Sequence, residues 1–424
     1  MTRNRSRGDD AQEPARAATP AVDTRLLVRE EGLRGYLREF WRKLRSGELG
    51  SLPVVLAVII IWTVFGSLNS TFLSAQNLSD LSQQIVGTGM IAVGIVFVLL
   101  LGEIDLSVGS VSGLCAAIFA VLNVLNGMNE WLALLIAVLG GAAVGLIHGF
   151  FFAKVGVPAF VVTLAGNLAW NGLMLQVLGS SGTVNIPSDS IVAELYSTIY
   201  GSPVAAYAAA AAGVGLFLAA SLLDAGRRRA AKVPSRPVTE IVLRAAVLAA
   251  IAFATAYILN RYEGLPLALL IFLILLVLLD FVLRRTTYGR KIFAVGGNVE
   301  GARRAGIGVA SIRMSVFSIA GTMAGVGGIF LAGQIQSASQ TSGGGNLLMN
   351  VIAAAVIGGT SLFGGRGSVW SALLGALVIG SIQSGMNIMG VSNAVQFMIT
   401  GAVLLAAVVV DSLSRRSQKA AGRA

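Results

Sequence analysis

Twelve stretches of this chain are apolar for long enough to cross a bilayer, a crossing that takes roughly 17–25 residues in a helix. They are 52–68, 85–101, 109–125, 132–152, 160–178, 203–223, 241–259, 265–283, 314–333, 347–363, 369–388 and 394–411. Short polar segments separate them, so the pattern predicts an all-α, polytopic membrane protein of about twelve transmembrane helices. The tenth stretch is the weakest. It runs into Ile357–Gly367, IGGTSLFGGRG, whose glycines suit a broken or re-entrant helix. It is kept as a crossing because otherwise Arg415, Arg416, Lys419 and Arg423 would face outward.

Charge fixes the orientation. Of 31 Lys and Arg, only Arg261 falls on the outer side when both termini are placed in the cytoplasm. The outer loops 69–84, 126–131, 179–202, 334–346 and 389–393 contain no Lys or Arg. The net charge of +11 follows from this sorting and from attraction to anionic inner-leaflet lipid, so it is not a nucleic-acid footprint. Charged residues make up 12 % of the chain, against about 25 % in a soluble protein. The lone Cys115 excludes an intramolecular disulfide and a cysteine metal site.

Three regions result. Residues 1–51 form a cytoplasmic tail, 52–411 the transmembrane domain, and 412–424 a second cytoplasmic tail. No cleavable signal peptide is expected, because the chain starts polar and basic. Residues 1–29 read as a disordered tail. In 33–45, LRGYLREFWRKLR, the residues Leu33, Tyr36, Leu37, Phe40, Trp41 and Leu44 recur at helical spacing opposite Arg and Lys. That predicts an interfacial helix anchoring the tail to the membrane.

The inner loop 284–313 is long for a connector and strongly basic: Arg284, Arg285, Arg290, Lys291, Arg303, Arg304 and Arg313. With a short helix predicted at Val299–Ala305, it reads as a docking surface for a cytoplasmic partner. A second inner segment, GEIDLSVGSVSG at 102–113, places Glu103 and Asp105 where apolar helices turn around. Asp105 or Ser107 can cap the next helix, and Gly109 with Gly113 permits close packing. The bland reading is a capped, packed turn; the functional one is a gate beside a solute path.

Within the spans, charges pair at interfaces: Asp280 with Arg284, Asp411 with Arg415, while Arg244 snorkels. No span has an acidic residue near its centre, which argues against a proton- or sodium-coupled carrier. Neutral polarity takes its place. Asn167 and Asn171 share a helix face beside Trp170, and Gln383 and Asn387 form a similar pair. They suit either a path for a polyhydroxylated solute or hydrogen bonds between helices. His148, the one histidine, reads as a packed residue. Gly141/Gly145 and Gly321/Gly325 are small-residue pairs for tight helix crossings. The triplets GSV and GMN at 109–111 and 127–129 recur at 367–369 and 385–387, as in a parallel repeat. Walker motifs are absent, so ATP is not bound in the usual way by this chain. The residues give no catalytic, metal or cofactor site.

IDLSVGS (104–110), YGR (288–290), AVGGN (294–298) and ARRAGI (302–307) together resemble the permease subunit of ATP-binding-cassette sugar importers, the ribose, xylose, arabinose and galactose group. The resemblance covers nearly the whole chain from the first span onward. It implies a permease homodimer, two cytoplasmic ATPases, an extracytoplasmic sugar-binding protein and a monosaccharide substrate. It also implies that 288–307 is the ATPase-coupling loop, with Tyr288, Gly289, Arg290, Gly296, Gly297, Asn298, Glu300, Ala302, Arg303, Arg304 and Gly306 as its residues and Glu300–Ala305 as its short helix. Glu103, Asp105, Ser107 and Gly109 would gate or line the path, with Asn167 and Asn171. About sixty residues at 203–262 exceed the ten-span ribose-type core as an added span pair, which resembles the xylose-type permeases. Rival readings are an ion-driven secondary sugar carrier, a membrane enzyme or scaffold, and an importer permease for a nucleoside or branched-chain amino acid.

Overall fold

The computed structural model describes residues 52–233 and 235–420. The expected tail 1–29, the amphipathic helix 33–45 and residues 421–424 lie outside the described residues. The compact unit Gly50–Leu413 holds the membrane domain.

The described residues form fifteen α-helices and two small two-stranded sheets. Helix α1 spans Leu52–Leu68, α2 Ala75–Leu100 and α3 Val108–Ala120 with a π turn to Leu125. Helix α4 spans Glu130–Phe150 with a π turn to Val155, and α5 Ala159–Leu178. Strand β1 (Thr183–Asn185), α6 (Ile191–Ser197) and β2 (Ile199–Tyr200) follow. Helices α7 (Pro203–Ala230) and α8 (Val238–Asn260) make a hairpin, and β3 (Leu265–Pro266) leads into α9 (Leu267–Arg285). The inner loop carries α10 (Thr287–Gly297) and α11 (Val299–Arg304). Helix α12 (Val309–Ile335), β4 (Ser337–Ser339), α13 (Leu347–Ile357), α14 (Trp370–Ile388) and α15 (Asn393–Ala420) complete the chain.

Helix α12 is the hub, packed by α4, α2 and α3. Glycine makes each contact possible. A Cβ on Gly321 would strike the backbone of Gly141 and Gly145 on α4, and one on Gly145 the Phe317 carbonyl. On other sides of α12, Gly327 meets Gly87 of α2 and Gly328 meets Ser112 of α3. The small-residue pairs of the sequence are therefore partners of one another, a close crossing driven by backbone-level packing.

Hydropathy misjudged three boundaries. Helix α2 begins ten residues before its apolar run, capped by Ser74, whose hydroxyl accepts from the Asn77 N–H at 3.2 Å. Its polar start turns toward protein: Ser384 Oγ donates to Asn77 Oδ1 at 2.8 Å. The expected outer loop 69–84 is thus mostly helix. Second, the cations Arg227, Arg228 and Arg229 belong to the last turns of α7 rather than to a loop. Third, the expected helix 347–363 stops at Ile357. Eleven residues rise about 16 Å, roughly half a hydrocarbon core. Among the described residues ten helices are long and apolar enough to cross a membrane, and α1 and α13 are shorter. Helix α13 follows β4, which pairs with β1, and is followed by the glycine turn 358–369.

The hairpin of α7 and α8 packs chiefly on itself, with Tyr207 stacked on Phe253 at 6.1 Å and most of its surface exposed. Asp224 ties it to α9 through Arg285 at 3.1 Å. The expected interfacial pair Asp280–Arg284 forms at 2.8 Å, and Arg244 bonds Glu240 at 2.8 Å.

Candidate functional site

Residues 286–308 fold into two short helices where one was expected. Thr286 caps α10, its hydroxyl accepting from the Gly289 N–H at 3.2 Å. Asn298 caps α11, its Oδ1 accepting from the Gly301 N–H at 2.8 Å, a standard way to satisfy an orphan donor. Gly306, at φ +75°, ends the unit in a conformation glycine adopts freely.

The candidate coupling residues divide by face. Gly289 and Ala302 are buried, and Tyr288 and Gly296 half-buried; they hold the unit to the bundle. The Tyr288 hydroxyl bonds Ser315 of α12 at 2.8 Å. Burial pushes its phenol above the usual range, and that hydrogen bond draws it back. Gly296 lies directly on the Leu100 carbonyl and beside the Gly365 N–H, and Gly365 N–H donates to Leu100 O at 2.9 Å. So α10, the end of α2 and the glycine turn 358–369 meet backbone to backbone. Arg290, Gly297, Asn298, Glu300, Arg303, Arg304 and Gly306 are exposed, as is Lys291. Arg303 pairs with Glu300 at 2.7 Å. The outward face of this unit is cationic with one carboxylate.

The turn 101–107 runs from that junction into α3. Asp105 is buried, and its Oδ1 accepts from Ser107 N–H at 2.8 Å and from Ser107 Oγ at 2.6 Å. Capping is thus the task of Asp105, with Ser107 as a link. Ser107 Oγ lies 3.3 Å from His148 Nδ1 of α4, and Trp170 Nε1 of α5 donates to His148 Nε2 at 2.8 Å. Since Nε2 accepts, the imidazole proton sits on Nδ1, and Trp170, His148 and Ser107 donate in one direction, ending on the Asp105 carboxylate. Sequence reading placed Asp105 and Ser107 but missed His148 and Trp170 as their partners. They come from two other helices, and the available signal was a polar residue in each at similar distance from the inner end. Gly166 leaves room for this contact, since a Cβ there would meet His148 Nε2. Trp170→Phe strands the imidazole acceptor, and is expected to cost about 1–3 kcal/mol. Thermal unfolding in detergent checks this; a wild-type midpoint would remove the chain from the account of stability.

The other candidates are not brought to this cluster. Glu103 is half-buried beside Arg313 of α12; burial raises its carboxyl and the Arg313 charge lowers it. Arg313 in turn caps the Phe152 ring at 4.3 Å. Gly109 packs on the Gly343 carbonyl, a loop rather than a helix. Asn387 makes an interhelical bond, accepting from Gln396 Nε2 at 2.9 Å. Asn167 and Asn171 differ: Asn167 is half-buried and Asn171 exposed, at the edge of the buried face of α5 that holds Thr163, Gly166 and Met174.

This geometry links an exposed cationic helix, through a glycine junction, to a buried polar chain joining α3, α4 and α5. Residues 77–408 match the family described as branched-chain amino acid transport system / permease component. The chain is 36 % identical over 379 residues to the xylose transport system permease protein XylH of Escherichia coli K12, covering 88 % of this chain and 94 % of the relative. The XylH of Haemophilus influenzae Rd is 32 % identical over 381 residues, covering 88 % and 99 %. The ribose import permease protein RbsC of Bacillus subtilis 168 is 30 % identical over 366 residues, covering 86 % and 94 %. No solved structure matches.

Proposed function

We propose, because this chain belongs to the family of branched-chain amino acid transport system permease components, that it is the pore-forming subunit of an ATP-binding-cassette importer for an aldopentose, xylose first. It is a multi-pass protein of the inner membrane, and ATP hydrolysis is the work of a partner subunit. The observation that carries the substrate is that relatives covering nearly the whole chain are named for xylose and ribose. An ion-coupled carrier is not favoured by these relatives.

The partners on this reading are a cytoplasmic ATPase, an extracytoplasmic sugar-binding protein and a second copy of this chain. The ATPase engages the exposed face of α11. Its motion on ATP binding moves α10, which bears rigidly on Leu100 and the 358–369 turn because glycine leaves no side chain to absorb the shift. The displacement passes to the 101–107 turn and, through Asp105, Ser107, His148 and Trp170, to α4 and α5. Asn167 and Asn171 then line the path, which accounts for amide side chains at the edge of the buried face of α5. Alternating access follows when α5 and the turn reorient together.

The test is uptake of labelled xylose by cells lacking their own pentose transporters and supplied with this chain, its ATPase and its binding protein. Uptake that stops when ATP is depleted and is competed by xylose over leucine is expected. Uptake that persists without ATP and stops with a protonophore would reverse the reading.

A further inference from the structure

Between β4 and α13 seven residues, Gln340–Asn346, run without helix. Their depth follows from their neighbours. Ser339 pairs with Thr183, just beyond the outer end of α5. At the other end, Gly358 lies on Ser371 and Gly375 on Ala354, so α13 ends level with the start of α14. Its eleven residues rise about 16 Å beside the 19 residues of α14, which rise about 28 Å. The first turn of α13 therefore lies near the membrane middle, and 340–346 fills the outer half. Side contacts agree. The carbonyls of Gly343 and Ser342 face Gly109 and Gly113 in the opening turns of α3, and Met174 of α5 also reaches Gly113, 2.8 Å from where its Cβ would stand.

Irregular backbone at this depth is stable only where protein covers it or where it lines water, because lipid offers no hydrogen bonds. Yet Thr341, Gly344 and Gly345 are exposed. One turn into α13, Asn350 is 8 % exposed and its Oδ1 has no hydrogen-bond partner among the described residues. Asn167 and Asn171 lie on the same helical stripe of α5 as Met174, beside this segment. The exposed backbone of Gly344 and Gly345, amide side chains and a helix N-terminus together offer donors and acceptors without bulk, which matches a polyhydroxylated solute.

We propose that Gln340–Asn346, with Asn350, is the sugar-contacting surface of the translocation path and sets which sugar passes. This rests on the sugar-importer reading. The glycines are the specificity device: Gly344 and Gly345 expose backbone with no side chain over it, and any added methyl intrudes on the solute.

Two measurements on the assembled importer test it. Gly344→Cys, treated from outside with a membrane-impermeant thiol reagent, is expected to react at least about tenfold faster than Leu216→Cys on the lipid-facing hairpin, since only a wet surface supports thiolate chemistry. The native Cys115 is fully buried and stays silent. Equal rates would overturn the proposal, because the segment would then be covered by lipid or by a second copy. Gly344→Ala sets its Cβ 3.0 Å from Thr341 O, so that carbonyl must give by a few tenths of an ångström. At wild-type levels of assembled complex it is expected to change the xylose-to-ribose ratio of uptake kcat/KM by about tenfold, the scale of one methyl in a selective site. An unchanged ratio with active wild type would sink this assignment and leave the importer standing. Wild type without ATP-dependent uptake would remove the reading beneath it.

Discussion

Arg304→Glu is expected to abolish ATP-driven uptake while the membrane bundle stays folded. Arg304 is exposed in the last turn of α11, and the exposed cations Arg290 and Lys291 of α10 and Arg303 and Arg304 of α11 face the single carboxylate of Glu300. Within the chain the cost of the change is small. A glutamate at a helix C-terminus loses a favourable dipole interaction worth about 0.3–1 kcal/mol, and no buried contact is lost. Across an interface the cost is larger. A partner that docks on a cationic helix presents acceptors or acids, and breaking a buried charge pair there costs about 2–5 kcal/mol, or roughly 30-fold to several thousand-fold in affinity. Co-purification of the ATPase and uptake should therefore fall together, with Arg304→Lys retaining most of both. Normal uptake by Arg304→Glu would end the coupling role of α11.

Gly321→Val is expected to prevent stable folding. Its Cβ would meet the Gly141 carbonyl and lie 2.9 Å from the Gly145 amide nitrogen, both backbone atoms of α4 that no rotamer change can move. Overpacking a core costs about 1–3 kcal/mol even where side chains yield. Here two helices must separate along the most extensive contact of the fold, so a loss of at least about 3 kcal/mol is expected. The matched comparison is Gly215→Ala in α7, where nothing lies within 4 Å of the new Cβ. It should be neutral or stabilising by less than about 1 kcal/mol. Denaturant unfolding of the purified proteins separates the two, and similar midpoints would show that α4 and α12 can part without penalty.

The linear pattern of apolar runs determined the fold class and the membrane. Those properties depend on transfer of each segment between water and lipid, a quantity summed along the chain. The loop motifs determined the family before any contact was known. Tertiary structure decided the rest. Helix α2 starts at Ala75 because its polar first turns meet Ser384 and other protein rather than lipid. The loop holds α10 as well as α11 because Gly296 can lie on the Leu100 carbonyl. Residues 340–346 stay unwound because Gly109 and Gly113 receive their carbonyls. His148 is a link between Ser107 and Trp170 because α3, α4 and α5 converge there. Each of these depends on which surface a residue meets across a gap of tens to hundreds of positions. Hydropathy carries no term for that, since a glycine facing lipid and a glycine facing another helix read alike in the sequence.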